Sequence, residues 1–132
     1  MKAISCKHNR SLSVGSYLTC ADNTGAKIYQ IISVRGYKGK RRTKPRTGIA
    51  GFVKCKVIKG NEKVRHELFT CVIIRATKEW RRASGMRVKF EDNAAIAIDE
   101  KLIPRGTLVK GPVAKETVER FPNIAKICSQ VV

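Results

Sequence analysis

Two runs rich in β-branched residues, KIYQIISVR (27–35) and FVKCKVIK (52–59), enclose GYKGKRRTKPRTG (36–48), a stretch with six positive side chains and no negative one. In the second run Val53, Cys55 and Val57 alternate with Lys54 and Lys56. That is the period of a strand with one buried and one wet face. Mutual repulsion, together with Gly39 and Pro45, keeps the enclosed stretch out of a core. It is long for a connection without structure of its own. The expectation is a basic β-hairpin, protruding from the strands that end at Arg35 and resume near Ile49, with a solvated, disordered loop as the weaker alternative.

The remaining pattern is mostly strand. GSYLTCADNTGAK predicts a strand over Tyr17–Ala21 and a turn at Asp22-Asn23-Thr24-Gly25, where Gly25 supplies a positive φ. ELFTCVIIRAT is apolar at nearly every position, as a strand covered on both faces would be. KEWRRASGM predicts a hairpin tip turning at Ser84-Gly85, and RVKFED and AAIAI two short strands. After Pro104-Arg105-Gly106 the character changes. VAKETVER and NIAKICSQVV predict two short helices, with Pro112 suited to a first helical turn. Residues 1–14 have no clear period and are expected as an N-terminal arm. The whole is an all-β fold in a single domain: a small barrel over 15–103 that includes the basic hairpin, and a C-terminal loop and helices over 104–132.

Charge narrows the function. The formal net charge is +18, and between Asp22 and Glu62 there is no acid and eleven Lys or Arg. Such an excess destabilises the compact chain by self-repulsion, and a polyanion relieves it. A membrane surface is the weaker partner, because no basic amphipathic helix with bulky apolar residues is present. The longest apolar run, Ala94–Ile98, is far too short to cross a bilayer. Cys6, Cys20, Cys55, Cys71 and Cys128 form no C-x-x-C pair, so zinc-ligand spacing is lacking. Cys20, Cys55 and Cys71 alternate with apolar residues and are expected as small buried hydrophobes in a reducing, cytoplasmic setting. The first residues have no apolar core of a secretory signal. Neither metal nor cofactor is expected.

The candidate binding residues follow from the same pattern. Arg41, Arg42 and Arg46 suit forked contact with phosphate oxygens, and Lys38, Lys40 and Lys44 act as point charges. Tyr37 suits stacking on a base, and Arg35 ends the preceding strand. Lys54, Lys56 and Lys59 read as an outward row that continues the basic surface. The second basic tip carries Arg81, Arg82, Arg87 and Lys89; its Trp80 is either core cover or a stacking platform. Catalysis finds little support. Glu91-Asp92 and Asp99-Glu100 are adjacent pairs, His8 and His66 have no matching Cys or Ser, and Gly-rich phosphate loops are absent.

Three stretches carry a resemblance. GSYLTCADNTGAK is similar to an apolar strand followed by ADN-[ST]-GA-[KR]; RRASGMRVKFEDNAAIAI to RR-x-x-G … F-[DE]-DNA; and RGTLVKGPVAKE to GT-x-x-x-GP-[VI]-A-[KR]-E. Together, from about Gly15 to the C-terminus, they resemble the universal large-subunit ribosomal protein fourteen family. FEDNAA and ISVRGYKG resemble its archaeal and eukaryotic branch. The resemblance implies a five-stranded barrel with a protruding hairpin and C-terminal helices, no enzymatic activity, and a cytoplasmic place in the large ribosomal subunit. It implies contact with large-subunit rRNA, with small-subunit rRNA at an intersubunit bridge, with neighbouring ribosomal proteins and with an anti-association factor. Lys27, Arg81 and Arg82 then face RNA. Gly106, Thr107, Lys110, Gly111 and Pro112 lie near the intersubunit face, with Phe121 and Ile124 offered to protein partners. Two departures stand out: Gly51 and Ser84 occupy positions where the family often carries an acid. The rival reading is a free single-strand chaperone on an OB-like barrel, which would want several aromatics on an exposed face.

Overall fold

A computed structural model describes residues 1–132. In chain order the strands are β1 (Leu12–Ser13), β2 (Tyr17–Cys20), β3 (Ala26–Val34), β4 (Arg46–Thr47), β5 (Phe52–Gly60), β6 (Leu68–Arg75), β7 (Trp80–Arg81), β8 (Arg87–Val88) and β9 (Ala94–Ile98). Two helices follow, α1 (Lys115–Arg120) and α2 (Pro122–Ala125). β2, β3, β5, β6 and β9 close into a barrel. Its neighbours are antiparallel except at the seam, where β2 and β9 run parallel through Thr19↔Ala94 and Cys20↔Ala95. Closure leaves no free sheet edge. The expected small five-stranded barrel with two short C-terminal helices is what the chain forms.

Two cores share one wall. Leu18, Tyr29, Ile31, Val53, Cys55, Val57, Cys71, Ile73, Ala95 and Ala97 pack inside the barrel. The alternate residues of the same wall, Val72 and Ile74 on β6 and Ala94, Ile96 and Ile98 on β9, face outward. There they meet Val109, Val113, Phe121 and Ile124 of the C-terminal segment. This explains why β9 and most of β6 are buried at every position: one parity fills the barrel and the other is roofed. The roof is held by polar bonds as well. The Ala114 N–H donates to the Ile74 carbonyl (3.2 Å) and the Thr117 hydroxyl to that of Ile73 (3.2 Å).

Four expectations change. Residues 36–45 form no β-ribbon. They are the loop joining β3 to β4, beyond the β3–β5 ladder that ends at Val34↔Val53, and their one backbone hydrogen bond runs from Thr43 N–H to the Lys40 carbonyl. Like charges at this density oppose the close approach that a ladder needs. The arm of residues 1–14 is tied down: β1 pairs with β4, Leu12 is buried, Lys7 bridges Arg81, and the Asn9 amide donates to the Lys78 carbonyl at 2.6 Å. Pro112 starts no helix; α1 begins three residues later with Ala114 as its N-cap, and Pro122 is the proline in a helical first turn. The expected second helix is one turn, after which Cys128 and Val131 bridge back to Val109 and Val113. The predicted turns at Gly25 and Gly85 are present, each with φ near +90°.

Candidate nucleic-acid interface

The long β3–β5 ladder carries the basic loop and a lysine face below it. Lys54 lies between Ser33 and Thr70, and Lys56 between Gln30 and Leu68, across the outer side of the sheet. Lys59 has the parity of the buried Val53, Cys55 and Val57, yet it is exposed. It reaches solvent because β5 ends at the next residue, so it extends the surface at the strand's end instead of completing a row. Lys27 is exposed on β3. Arg35, just beyond β3, lays its guanidinium 4.8 Å from the Phe52 ring centroid, which restrains its direction while leaving it exposed. In the loop Lys38, Lys40, Arg41, Arg42 and Lys44 are all exposed, as is Arg46 at the start of β4, and Tyr37 is half-buried.

These cations have no anionic partner in the molecule. The five ion pairs are Arg75–Asp92, Arg82–Glu116, Arg87–Glu79, Arg105–Asp99 and Lys115–Glu119, and none involves a residue between Lys27 and Lys59. The pairing of β1 with β4, Leu12↔Thr47 and Ser13↔Arg46, also brings Arg10 beside the loop. Arg10, Tyr37, Arg42, Thr43, Lys44 and Arg46 line one open cleft of about 550 Å³. Arg10 is absent from the candidates read along the chain, because only a long-range ladder makes it a neighbour of the loop.

The second tip is more internal than its sequence suggests. Trp80 is 2% exposed and packs 5.8 Å from Phe90, so it is core cover. Arg82 is not free for RNA. Its Nε and a terminal nitrogen donate to the Glu116 carboxylate at 2.8 and 3.3 Å, and it also donates to the Val132 carbonyl at 2.7 Å. The side chains are 17% and 3% exposed. Burial is the largest single influence and pushes the Glu116 carboxyl up, but hydrogen bonding from Arg82 and neighbouring donors, together with the Arg82 charge, outweighs it and holds the group below its ordinary value of 4.5. Arg87 pairs with Glu79 at 2.7 Å and remains largely exposed, where the pair is weak and exchangeable. Arg81 and Lys89 stay exposed.

The three motifs that carry the resemblance meet each other. The Asp22 carboxylate accepts the Ala97 N–H at 2.7 Å and also bonds the Thr24 hydroxyl, continuing the β2–β9 seam past the end of its backbone pairing. Asn23 exchanges two hydrogen bonds with Thr107, at 2.8 and 3.0 Å. Gly106 lies so close that a Cβ there would stand 2.8 Å from the Asn23 Oδ1. The nearly buried Arg75 binds Asp92 through two nitrogens and donates to the carbonyls of Lys110 and Pro112. Gly111 fits against the same guanidinium, 2.9 Å from where its Cβ would be. So Gly106, Gly111 and Pro112 fasten the C-terminal segment to the barrel, whereas Thr107 and Lys110 also reach solvent. Phe121 and Ile124 are not offered to partners at all: both are buried in the second core, at 2% and 0% exposure. A Cβ at Gly51 would collide with Thr47 and press on the Gly48 carbonyl at 2.8 Å, so the local packing accepts no acid there.

A barrel assembled by these motif contacts matches a known family. Residues 11–132 match the profile described as Ribosomal protein L14p/L23e. The chain belongs to that family. It is 48% identical to the large ribosomal subunit protein uL14 of Methanoregula boonei and 47% to that of Methanospirillum hungatei, each over 132 residues covering all of both chains. It is 47% identical to the uL14 protein of Nanoarchaeum equitans over 133 aligned positions, again covering both chains fully. These relatives are archaeal, in keeping with the branch that FEDNAA and ISVRGYKG resemble.

Proposed function

We propose that this L14p/L23e family member, a structural constituent of the large ribosomal subunit, holds large-subunit rRNA through the 36–48 loop and the Lys54–Lys56 face. The observation that carries this reading is the block of eleven Lys and Arg from Lys27 to Lys59 with no acid among them and no ion pair to any. Those charges are paired only when a polyanion is bound, and the barrel supplies the rigid mount. The single-strand chaperone is disfavoured, because Tyr17 is the only strongly exposed aromatic of the eight. The family's relatives are ribosomal structural proteins, which supports a non-enzymatic role in the cytoplasm.

The test is the salt dependence of binding to an rRNA fragment. Replacing Lys38, Lys40, Arg41, Arg42, Lys44 and Arg46 by Ser is expected to flatten the slope of log affinity against log salt by about four to five. An unchanged slope would remove the loop from the interface. Contact with small-subunit rRNA and with an anti-association factor falls to the exposed part of the C-terminal segment, Thr107, Leu108 and Lys110. Neighbouring large-subunit proteins fit the same exposed ground. In reconstituted subunits Lys110→Glu is expected to weaken subunit association followed by light scattering; normal association would exclude Lys110 from the bridge.

A further inference from the structure

We infer that the cleft between the N-terminal segment and the basic loop is a receptor for one unstacked nucleotide within an RNA strand. The inference rests on the rRNA reading above and adds a ligand geometry to it. Around the cleft stand four cations (Arg10, Arg42, Lys44 and Arg46), one aromatic ring (Tyr37), one hydroxyl (Thr43) and no acid. Its volume of about 550 Å³ lies within the roughly 300–1,000 Å³ of sites that take small molecules. A smooth phosphate backbone needs neither a concavity nor a ring. A nucleotide turned out of its stack uses both: the base lies on the tyrosine, and the phosphates on either side of it meet the guanidinium forks. Four cations exceed the charge of one phosphate, so the occupant is an internal nucleotide with a phosphate at each end.

Two local features position the ring and the walls. Tyr37 packs directly over Gly39, where a Cβ would collide with the ring atoms. Glycine there lets one side of the ring rest on the backbone. Arg42 holds a left-handed φ of +71°, uncommon for a residue with a side chain. Conformations of this kind concentrate at ligand-binding sites. The ladder between β1 and β4 sets Arg10 against the loop, so the docked N-terminal segment supplies one wall of the cleft.

The experiment compares two labelled RNA hairpins by fluorescence anisotropy at fixed salt, one with a single bulged uridine and one fully paired. The intact protein is expected to prefer the bulged hairpin by about tenfold, the scale of one base stacked on one aromatic. Tyr37→Ser is expected to abolish the preference, and Tyr37→Phe to keep it. Gly39→Ala, which retains every charge and the ring, is expected to reduce the preference by displacing the ring. Equal binding of both hairpins by the intact protein, or a preference that survives Tyr37→Ser, overturns the inference. Neither result touches the proposed grip, which fails only if the six-cation variant keeps its salt slope.

Discussion

Arg82 shows how a residue's partners decide its role. Its guanidinium is divided between a carboxylate and the last carbonyl of the chain, bridging the second tip, α1 and the C-terminus. Removing the carboxylate with Glu116→Ala leaves a mostly buried cation without its counter-charge, which costs on the order of 3 kcal/mol. Urea unfolding at pH 7 is the measurement; a loss below about 0.5 kcal/mol would mean the pair contributes no more than a surface one. The pH dependence has a definite sign. The carboxyl titrates lower in the folded state than its ordinary 4.5. Its stabilisation is therefore complete above that value and fades as pH falls through the lower folded value. The gap between protein and variant is expected to narrow below pH 4.5 and to stay constant above it.

At the scale of elements, the C-terminal segment is the second roof of β6 and β9. A balanced charge and a surplus of apolar side chains read as a docking surface when its sequence is taken alone. In the fold, Phe121 and Ile124 cover Val72, Ile74 and Ile96, and Phe121 lies 6.1 Å from Phe52 across the two layers. Phe121→Ala is expected to lower stability by about 3–5 kcal/mol, the range for truncating a buried phenylalanine. Because both cores share β6, barrel and C-terminal probes are expected to unfold in one transition; two separated urea transitions would show the roof to be an independent unit. The basic loop behaves oppositely. It has one backbone hydrogen bond over residues 36–45 and contributes no residue to either core, so its shape depends on the anchors at its ends and on β1.

Across the whole molecule, the division between grip and mount follows the distribution of acids. Nine of the ten acids lie from Glu62 onward, and every ion pair forms there. The acid-free stretch from Lys27 to Lys59 keeps its cations free of ion pairs. Period-two alternation at Val53–Val57, the doubly apolar runs of β6 and β9, the turn residues at Asp22–Gly25 and Ser84-Gly85, and the unbroken basic block mark the strands and the unmet need for counter-charge by themselves, because these are properties of neighbouring residues. Which cations are available is a different matter. Arg82 is withdrawn by Glu116, thirty-four positions away, and Arg75 by carbonyls at 110 and 112. Arg10 joins the loop through a two-residue ladder with residues 46–47. Trp80, Phe121 and Ile124 are hidden by elements distant in the chain. Alternation says that a side chain needs cover but not what covers it, and charge says that a group needs a counter-ion but not whether the fold already supplies one. Only the closed barrel, with its N-terminal strap and C-terminal roof, decides those two questions.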